Sequence, residues 1–188
     1  MNNTKIILAS QSPRRKQLLQ QIGVTPVCRP VDIDESIHEN EAPKDYCYRL
    51  AMEKAQAAWD SSDKSLAVLG SDTIVVINNK TLGKPRDKED AFNMLSMLSG
   101  QTHQVITAVA MINAQKQKVV DASSAVEFDQ LSANEITDYI TSKEPMDKAG
   151  SYAIQGQAAK WIKNISGSYS GIMGLPLYET AKLLQEFT

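Results

Sequence analysis

The sequence predicts an α/β protein in which helices flank a central mixed β-sheet. Short apolar segments rich in β-branched residues alternate along the chain with segments whose apolar residues recur every three to four positions. Two further pairs of apolar segments are separated only by short polar turns, a pattern typical of hairpins. Strands and helices that are intermixed with hairpins favour a mixed sheet covered by helices.

The length and composition fit one soluble globular domain spanning residues 1–188. The chain has 188 residues, of which 42% are hydrophobic and 22% charged, and it contains no repeat, low-complexity tract or obvious interdomain linker. A chain of this size buries roughly 70% of the surface that its unfolded form exposes. It is therefore long enough to form the core of an enzyme, as one domain or as two small lobes.

The charge balance and the cysteine content limit the partners and the location that we expect. A formal net charge of -2 and a pI near 5.7 give no basic field, so we expect no nucleic-acid partner, and a phosphate ligand would need a local cluster of cations. No segment approaches the ~20 apolar residues of a membrane span or resembles a signal peptide. Cys28 and Cys47 form no CxxC motif or disulfide framework. We expect a cytoplasmic protein with no membrane partner.

An apolar run predicts the first strand, and capping residues predict the helix that follows it. Lys5 to Ser10 is a short apolar strand, followed by a helix with Ser12 at its N-cap, Pro13 at its first position and Gly23 after its end. The second strand is expected over Cys28 to Ile33.

The first turn of this helix carries three cations in an unfavourable place. Arg14, Arg15 and Lys16 each oppose the partial positive charge of the helix N-terminus, at a cost of a few tenths of a kcal/mol up to ~1 kcal/mol. Free N–H groups and two guanidiniums at one place would suit a phosphate group. The alternative is a solvated basic turn with no ligand.

The middle of the chain is predicted as a long helix followed by a hairpin. An acidic loop ends at Pro43, which begins a helix to about Trp59. A strand with Asp72 in it then leads to a turn at Asn78-Asn79-Lys80 and a short return strand. The helix buries residues at helical spacing, namely Cys47, Leu50, Ala51, Ala55 and Ala58.

Capping residues mark the next two helices. Asp87 and Asp90 are placed as a capping box for a helix that ends at Ser99-Gly100, and Ser132 and Glu135 form a second box. Between these helices lies a second hairpin, with strands at QTHQVITAVAMI and VVDASSAVEF. Near the C-terminus, AGSYAIQG and AKWIKNI are predicted as short strands, and Pro176 to Phe187 as the last helix.

Asp72 interrupts an apolar run and is the first candidate for chemistry. Burying an unpaired carboxylate costs several kcal/mol, so Asp72 should be exposed at a cleft, bound to a cation or tied by hydrogen bonds. Those are the surroundings of a catalytic or metal-binding acid. The alternative is that Asp72 lies on the solvent face of a half-buried strand. Gly70, just before it, would allow close approach of a ligand or of neighbouring backbone.

Several other charged residues are weaker candidates when each is taken alone. Lys84 and Arg86 precede a helix start, where a solvated loop is the simpler interpretation. Lys54 is most simply a surface lysine whose stem packs on apolar neighbours. Glu35, in an acidic loop, could join Asp72 in holding a divalent metal, since Mg²⁺ favours one or two carboxylates plus substrate phosphates.

Familiar catalytic motifs are absent from the sequence. There is no phosphate-binding P-loop, no GxGxxG after a strand, no HExxH, no zinc-type cluster and no serine nucleophile elbow. His38 and His103 are isolated. Four cations together with the oddly placed Asp72 remain, and this set suits hydrolysis of a polyphosphate; the cations are Arg14, Arg15, Lys54 and Lys84.

Seven segments of the chain, taken in order, resemble the Maf family of nucleoside triphosphate pyrophosphatases. They are ILASQSPRRKQLL, RLAMEKA, LGSDTIV, LGKPRDKEDA, LSGQTHQVITAVA, DKAGSYAIQG and GLPLYET. The resemblance covers nearly the whole chain. It implies a single Maf-like, ITPase-like α/β domain with two lobes around a deep cleft, and a homodimer. It also implies cleavage of a nucleoside triphosphate to monophosphate and pyrophosphate with Mg²⁺ or Mn²⁺.

The resemblance also implies roles for individual residues. Asp72 falls on the family's general base, and Glu35 on an acid that would hold the metal together with Asp72. The family's phosphate contacts fall on four residues, namely Ser10, Arg15, Lys54 and Lys84.

Three further positions are implied to set the substrate. Arg14, Thr73 and Gln155 match members that act on dTTP and UTP, with modified pyrimidine nucleotides as further candidates. Family members that act on 7-methyl-GTP instead have sequences that look like SPWRR, GSDQ and SEG around these three positions. The alternatives are therefore a 7-methyl-GTP-type pyrophosphatase, or a non-catalytic nucleotide sensor that regulates cell division and septum formation.

Overall fold

The computed structural model describes residues 4–187, so residues 1–3 and 188 of the predicted domain lie outside the described part. The strands are β1 Thr4–Leu8, β2 Val24–Cys28, β3 Val68–Ile77, β4 Lys80–Leu82, β5 Thr102–Ile112, β6 Gln117–Phe128 and β7 Ile162–Ser166. The α-helices are α1 Pro13–Gln21, α2 Pro43–Asp60, α3 Lys88–Leu98, α4 Ala133–Thr141, α5 Tyr169–Ile172 and α6 Leu177–Phe187. The 3₁₀ turns within the described residues are Glu144–Asp147, Ala149–Ser151 and Gln157–Trp161.

The strands form the predicted mixed sheet. Within the described residues seven strands pair in the order β2-β1-β3-β5-β6-β7, with β4 on β3. β1 runs parallel to β2 and β3, whereas β4 pairs with β3, and β7 with β6, in antiparallel fashion. The fold class expected from the sequence is therefore confirmed. No helix within residues 4–187 has the length and apolar character needed to cross a bilayer.

Backbone contacts divide the chain into two compact units. The first comprises Met1–Asp72, Thr107–Ala122 and Gly174–Thr188, and the second comprises Thr73–Ile106 and Ser123–Met173. The boundaries fall inside β3, β5 and β6, so these three strands contribute residues to both units.

The first unit is built on β1 with α1 and α2. Ile6, Ile7 and Leu8 of β1 are almost fully buried. α1 begins at Pro13 as predicted and is followed by Gly23 with a φ of +79°, a backbone conformation that glycine adopts without strain. The predicted apolar face of α2 is confirmed, since all of its members are buried; they are Cys47, Leu50, Ala51, Ala55 and Ala58.

The second unit confirms most of the capping signals. Ser132 and Glu135 form a reciprocal capping box at the start of α4. Asp87 accepts a hydrogen bond from the Asp90 N–H at the start of α3, but the Asp90 carboxylate accepts from Arg86 instead of completing the box. The turn before β4 consists of Asn78 and Asn79, both with positive φ, which matches the tight turn of a two-residue hairpin.

The prediction of the second strand is wrong. The strand is Val24–Cys28 rather than Cys28 to Ile33, and it buries Val24 beside β1. Pro26 argues against a central strand in the sequence, but β2 lies at the end of the strand order, where a missing N–H is tolerated. Pro30 lacks the donor that would extend the pairing.

The strand predicted at AGSYAIQG is also wrong. Gly150 and Ser151 have φ values of +65° and +62°, and the segment begins with a 3₁₀ turn. A Cβ on Gly150 would lie 2.7 Å from a methyl group of Val75, so the close contact also needs glycine. Of the strand predicted at AKWIKNI, only the part from Ile162 is extended. The last helix begins at Leu177, one residue after Pro176.

Candidate active site

Asp72 is a buried carboxylate on β3. Only 7% of the residue is exposed, and its Oδ1 lies 2.6 Å from the Nζ of Lys54. The Sγ of Cys47 also donates to the backbone carbonyl of Asp72 at 3.4 Å. An opposite charge and hydrogen bonds offset the cost of burying a carboxylate. The interpretation of Asp72 as a residue of a solvent face is therefore wrong.

Lys54 is the centre of a three-charge cluster. Its Nζ lies 2.6 Å from Asp72 Oδ1 and also 2.6 Å from Glu35 Oε1, and only 11% of the lysine side chain is exposed. The interpretation of Lys54 as a surface lysine is wrong. Because Asp72 Oδ1 and Glu35 Oε1 both contact Lys54 Nζ at 2.6 Å, these two oxygens lie no farther apart than twice 2.6 Å.

Gly70 explains why α2 lies close enough for this contact. A Cβ at Gly70 would lie 2.6 Å from the backbone N of Ala55 and closer still to the carbonyl of Ala51. The backbone of α2 therefore touches β3 directly, as the sequence predicted for Gly70. Gly70 and Asp72 lie two residues apart and face the same side of the strand. This side is the one that α2 covers, so Lys54 is brought to Asp72.

The loop that carries Glu35 is fixed by other side chains of α2. The Tyr46 hydroxyl donates to the backbone carbonyl of Glu35 at 2.7 Å, and Arg49 Nη2 donates to the carbonyl of Ser36 at 2.8 Å. Arg49 Nε donates to the carboxylate of Glu41 at 2.6 Å, and this contact lowers the pKa of Glu41 to about 2. The position of Glu35 therefore depends on α2 at the loop backbone and at its own carboxylate.

Arg15 and Ser10 form a second part of the site in the same unit. Arg15 Nε donates to the carbonyl of Gly174 at 2.8 Å, and Arg15 Nη1 donates to Ser10 Oγ at 3.3 Å. Ser71 Oγ donates to the same Gly174 carbonyl at 3.0 Å. Burial lowers the pKa of Arg15, and the charge of Asp72 opposes that shift. The structure thus brings Arg15 and Ser10 together and orients the guanidinium through Gly174.

Two neutral side chains lie close to these charges. Burial, and next the charge of Asp72, raise the pKa of both Tyr46 and Cys47 to about 12. Both groups are therefore protonated at neutral pH and remain hydrogen-bond donors. Cys47 is buried, whereas Cys28 is exposed.

The remaining predicted site residues are divided between the units. Arg14 lies beside Arg15 in the first turn of α1. Thr73 follows Asp72 on β3 but belongs to the second unit, as do Lys84 and Gln155, which are both exposed. Arg86, which the sequence placed beside Lys84, is exposed and pairs with Asp90 at 3.0 Å, as the solvated-loop interpretation predicted.

A comparison with known protein families decides what kind of protein carries this site. The family model described as a Maf-like protein matches residues 5–187. The chain belongs to the Maf family. The resemblance predicted from the sequence motifs is thereby confirmed.

Curated relatives of this Maf protein match over nearly its full length. The dTTP/UTP pyrophosphatase of Pseudoalteromonas translucida is 50% identical over 182 residues, which cover 97% of this chain and 96% of the relative. The dTTP/UTP pyrophosphatase of Pseudoalteromonas atlantica is 48% identical over 186 residues, with 97% of each chain covered. Among solved structures, the Staphylococcus aureus Ham1 protein aligns with 66% of this chain and 72% of its own, at a TM-score of 0.47 and 15% identity.

The carboxylates of this Maf site suit a hard divalent cation. Residues 4–187 contain no group of three or more His, Cys, Asp or Glu side chains arranged to hold a metal. The carboxylates of Glu35 and Asp72, however, both contact the Nζ of Lys54 and so lie close together. One or two carboxylates, completed by substrate phosphates and water, are the donors that Mg²⁺ accepts. The two side chains fit such an ion when a substrate supplies the other oxygens.

Sequence reasoning missed four residues that position the Maf site, namely Tyr46, Arg49, Ser71 and Gly174. Tyr46 and Lys54 are separated by two helical repeats of four residues, so helical spacing could have placed them on one side of α2. In the sequence, Arg49 is only a charged residue beside the predicted apolar face of α2, and this alone indicates no function. Ser71 and Gly174 gave no signal, because a backbone carbonyl acts as the acceptor and its partners come from distant parts of the chain.

Replacing Gly70 by alanine should destabilise the protein. The added Cβ would overlap the backbone of α2 at Ala51 and Ala55, which cannot move as a flexible side chain could. We expect a loss of about 1–3 kcal/mol in the free energy of unfolding, measured by urea denaturation. The matched control is Gly83→Ala, because no atom lies within 4 Å of its Cβ position. Equal stability of the two variants would contradict the close approach of α2 to β3.

Proposed function

We propose that this Maf protein is a nucleoside triphosphate pyrophosphatase that hydrolyses dTTP and UTP to the monophosphate and pyrophosphate. The observation that carries the proposal is the convergence of Asp72 and Glu35 on Lys54, in the unit that also holds Arg15 and Ser10. Full-length relatives at 48–50% identity bear the name dTTP/UTP pyrophosphatase. Modified pyrimidine nucleotides are further candidate substrates, and the family resemblance supports a cytoplasmic homodimer.

The cations of the site would bind the triphosphate. Arg15 and Ser10 already share a hydrogen bond, so the guanidinium is oriented before a phosphate group arrives. Lys54 contacts both carboxylates at 2.6 Å, and a phosphate oxygen would give its ammonium a further anionic partner. Lys84, which is exposed, is the fourth phosphate contact that the family resemblance implies.

Asp72 would act as the general base. Its carboxylate would take a proton from a water molecule while the water oxygen attacks the α-phosphorus. The bond from the α-phosphorus to the oxygen that bridges it to the β-phosphorus then breaks, and pyrophosphate leaves with the electron pair. Lys54 and the Cys47 thiol hold Asp72 in place for this step at its carboxylate and its carbonyl respectively.

Glu35 and Asp72 would hold Mg²⁺ or Mn²⁺. Such an ion neutralises charge on the phosphates and lowers the pKa of a bound water. The protein prepares the position of the two carboxylates through α2, since Tyr46 and Arg49 fix the loop of Glu35 and Lys54 binds both acids.

Three residues would select the base. Gln155 carries an amide that can both donate and accept a hydrogen bond, as the edge of uracil or thymine requires. In the family resemblance, Arg14 and Thr73 match the members that act on dTTP and UTP. The selection of dTTP and UTP over other nucleotides would therefore depend on these three residues.

Asp72→Asn should abolish most of the turnover without unfolding the protein. A general base typically contributes 10²–10⁴-fold, so we expect a loss of about that size. The assay resolves monophosphate and pyrophosphate from diphosphate and phosphate, with Mg²⁺, with Mn²⁺ and with a chelator, over a panel of pyrimidine and purine triphosphates. Asp60→Asn, an exposed carboxylate at the end of α2, is the matched control and should retain full activity.

Near-normal activity of Asp72→Asn would remove Asp72 as the base. Nucleotide binding by the unaltered protein without any product would instead support the sensor interpretation. Undiminished turnover in the presence of the chelator would argue against a metal at Glu35 and Asp72.

Exchanging the three selective residues should change the preferred substrate. In the variant Arg14→Trp, Thr73→Gln, Gln155→Glu, the ratio of kcat/KM for 7-methyl-GTP to that for dTTP should rise at least tenfold, a difference of about 1.4 kcal/mol in transition-state binding. The ratio is measured with both nucleotides in one competition assay. An unchanged ranking of substrates would show that these positions do not select the base.

A further inference from the structure

We propose that Glu144 and Tyr139 are positioning residues that fix the loop carrying Gln155 and thereby support selection of a uracil or thymine base. This inference rests on the proposed function and extends it to two residues with no role assigned so far. All of the groups involved belong to the second unit.

Hydrogen bonds connect the two ends of this loop through two side chains. The backbone N–H of Ala153 donates to the Tyr139 hydroxyl at 3.4 Å, and this hydroxyl donates to Glu144 Oε1 at 2.9 Å. The backbone N–H of Gln157 donates to the same Oε1 at 3.0 Å. Gln155 lies midway between Ala153 and Gln157. Its backbone is therefore held on both sides, while the residue itself is exposed.

Gly156 brings the carboxylate close to the loop. A Cβ on Gly156 would lie 2.9 Å from Glu144 Oε2 and closer still to Oε1, so a side chain here would displace the carboxylate. The N–H of Gly156 also donates to the carbonyl of Ala153 at 3.0 Å, which closes the turn around Gln155. The glycine after Gln155 thus allows the contact that fixes the Gln155 backbone.

The chemistry of Glu144 and Tyr139 determines which group donates each hydrogen bond. An ionised carboxylate only accepts hydrogen bonds, so Tyr139 and Gln157 must both donate to Glu144. Tyr139 is 3% exposed, and burial together with its bond to Glu144 raises its pKa far above neutrality. The hydroxyl therefore remains a donor, and the hydrogen-bonded chain keeps a single arrangement.

A fixed amide can distinguish the two kinds of pyrimidine. Thymine presents an O4 acceptor where cytosine presents an N4 donor. The hydrogen bonds hold the backbone of Gln155 and not its amide. A backbone held in one place limits the directions in which the NH₂ group can point toward this O4, whereas a loop that moves also lets the amide oxygen reach the N4 donor of cytosine. Loss of the connection should therefore weaken discrimination more than it weakens the chemical step.

The test compares dTTP with dCTP in Glu144→Ala. We expect the ratio of kcat/KM for dTTP over dCTP to fall about tenfold, corresponding to one hydrogen bond of about 1.4 kcal/mol. The change should appear mainly in KM for dTTP, with kcat altered less than twofold. Glu144→Gln keeps an acceptor oxygen and should restore most of the ratio. Glu127→Ala, a half-buried glutamate of β6 that pairs with Lys163, is the matched control.

A double-mutant cycle separates positioning from a general structural effect. If Glu144 acts through Gln155, then Glu144→Ala should leave the ratio unchanged in a Gln155→Ala background. The same ratio measured as Kd for non-hydrolysable dTTP and dCTP analogues gives a readout that needs no turnover. If Glu144→Ala does not fold, Tyr139→Phe breaks the connection at its centre and should lower the ratio as well.

The outcomes are distinct. An unchanged ratio in folded Glu144→Ala, or additive effects of the two alanine substitutions, would overturn the inference even if dTTP is hydrolysed. Absence of dTTP hydrolysis by the unaltered protein would refute the proposed function, and the binding ratios would then decide the role of Glu144 and Tyr139 separately.

Discussion

The contact of one ammonium group with two carboxylates determines how the first unit is built. Lys54 compensates the charge of buried Asp72 and contacts the carboxylate of Glu35, so it links the two acids. This contact in turn requires α2 to lie against β3, which only the absence of a side chain at Gly70 permits. Removal of one partner from such a cluster leaves a charge without compensation, at a cost of several kcal/mol.

The two units supply different chemistry. The first concentrates charged groups whose oxygens and nitrogens can contact phosphates and a divalent ion, and its neutral neighbours Tyr46 and Cys47 stay protonated because burial raises their pKa values. The second contains a loop held by Glu144 and Tyr139, in which Gln155 is exposed. β3 carries Asp72 and then Thr73 from one unit into the other.

Local signals predicted the helices and failed where distant contacts decide the structure. Caps such as Ser132 with Glu135 and the periodic apolar residues of α2 act within a few residues, so the sequence contains them. β2 was misplaced because tolerance of Pro26 depends on the strand order, and the Gly150 segment because its conformation depends on contact with Val75. Asp72 was singled out because a carboxylate in an apolar run needs a partner, but the partner could not be chosen. Lys54 was named as a candidate phosphate contact, but its pairing with Asp72 depends on the contact of α2 with β3.

The most direct test of the proposed reaction is hydrolysis of dTTP in water enriched in ¹⁸O, with mass analysis of both products. Water activated by Asp72 and directed at the α-phosphorus places the label in the monophosphate and leaves the pyrophosphate unlabelled. Label in the pyrophosphate would show that water attacks the β-phosphorus. That result would contradict the role assigned to Asp72 and to the charged groups around it.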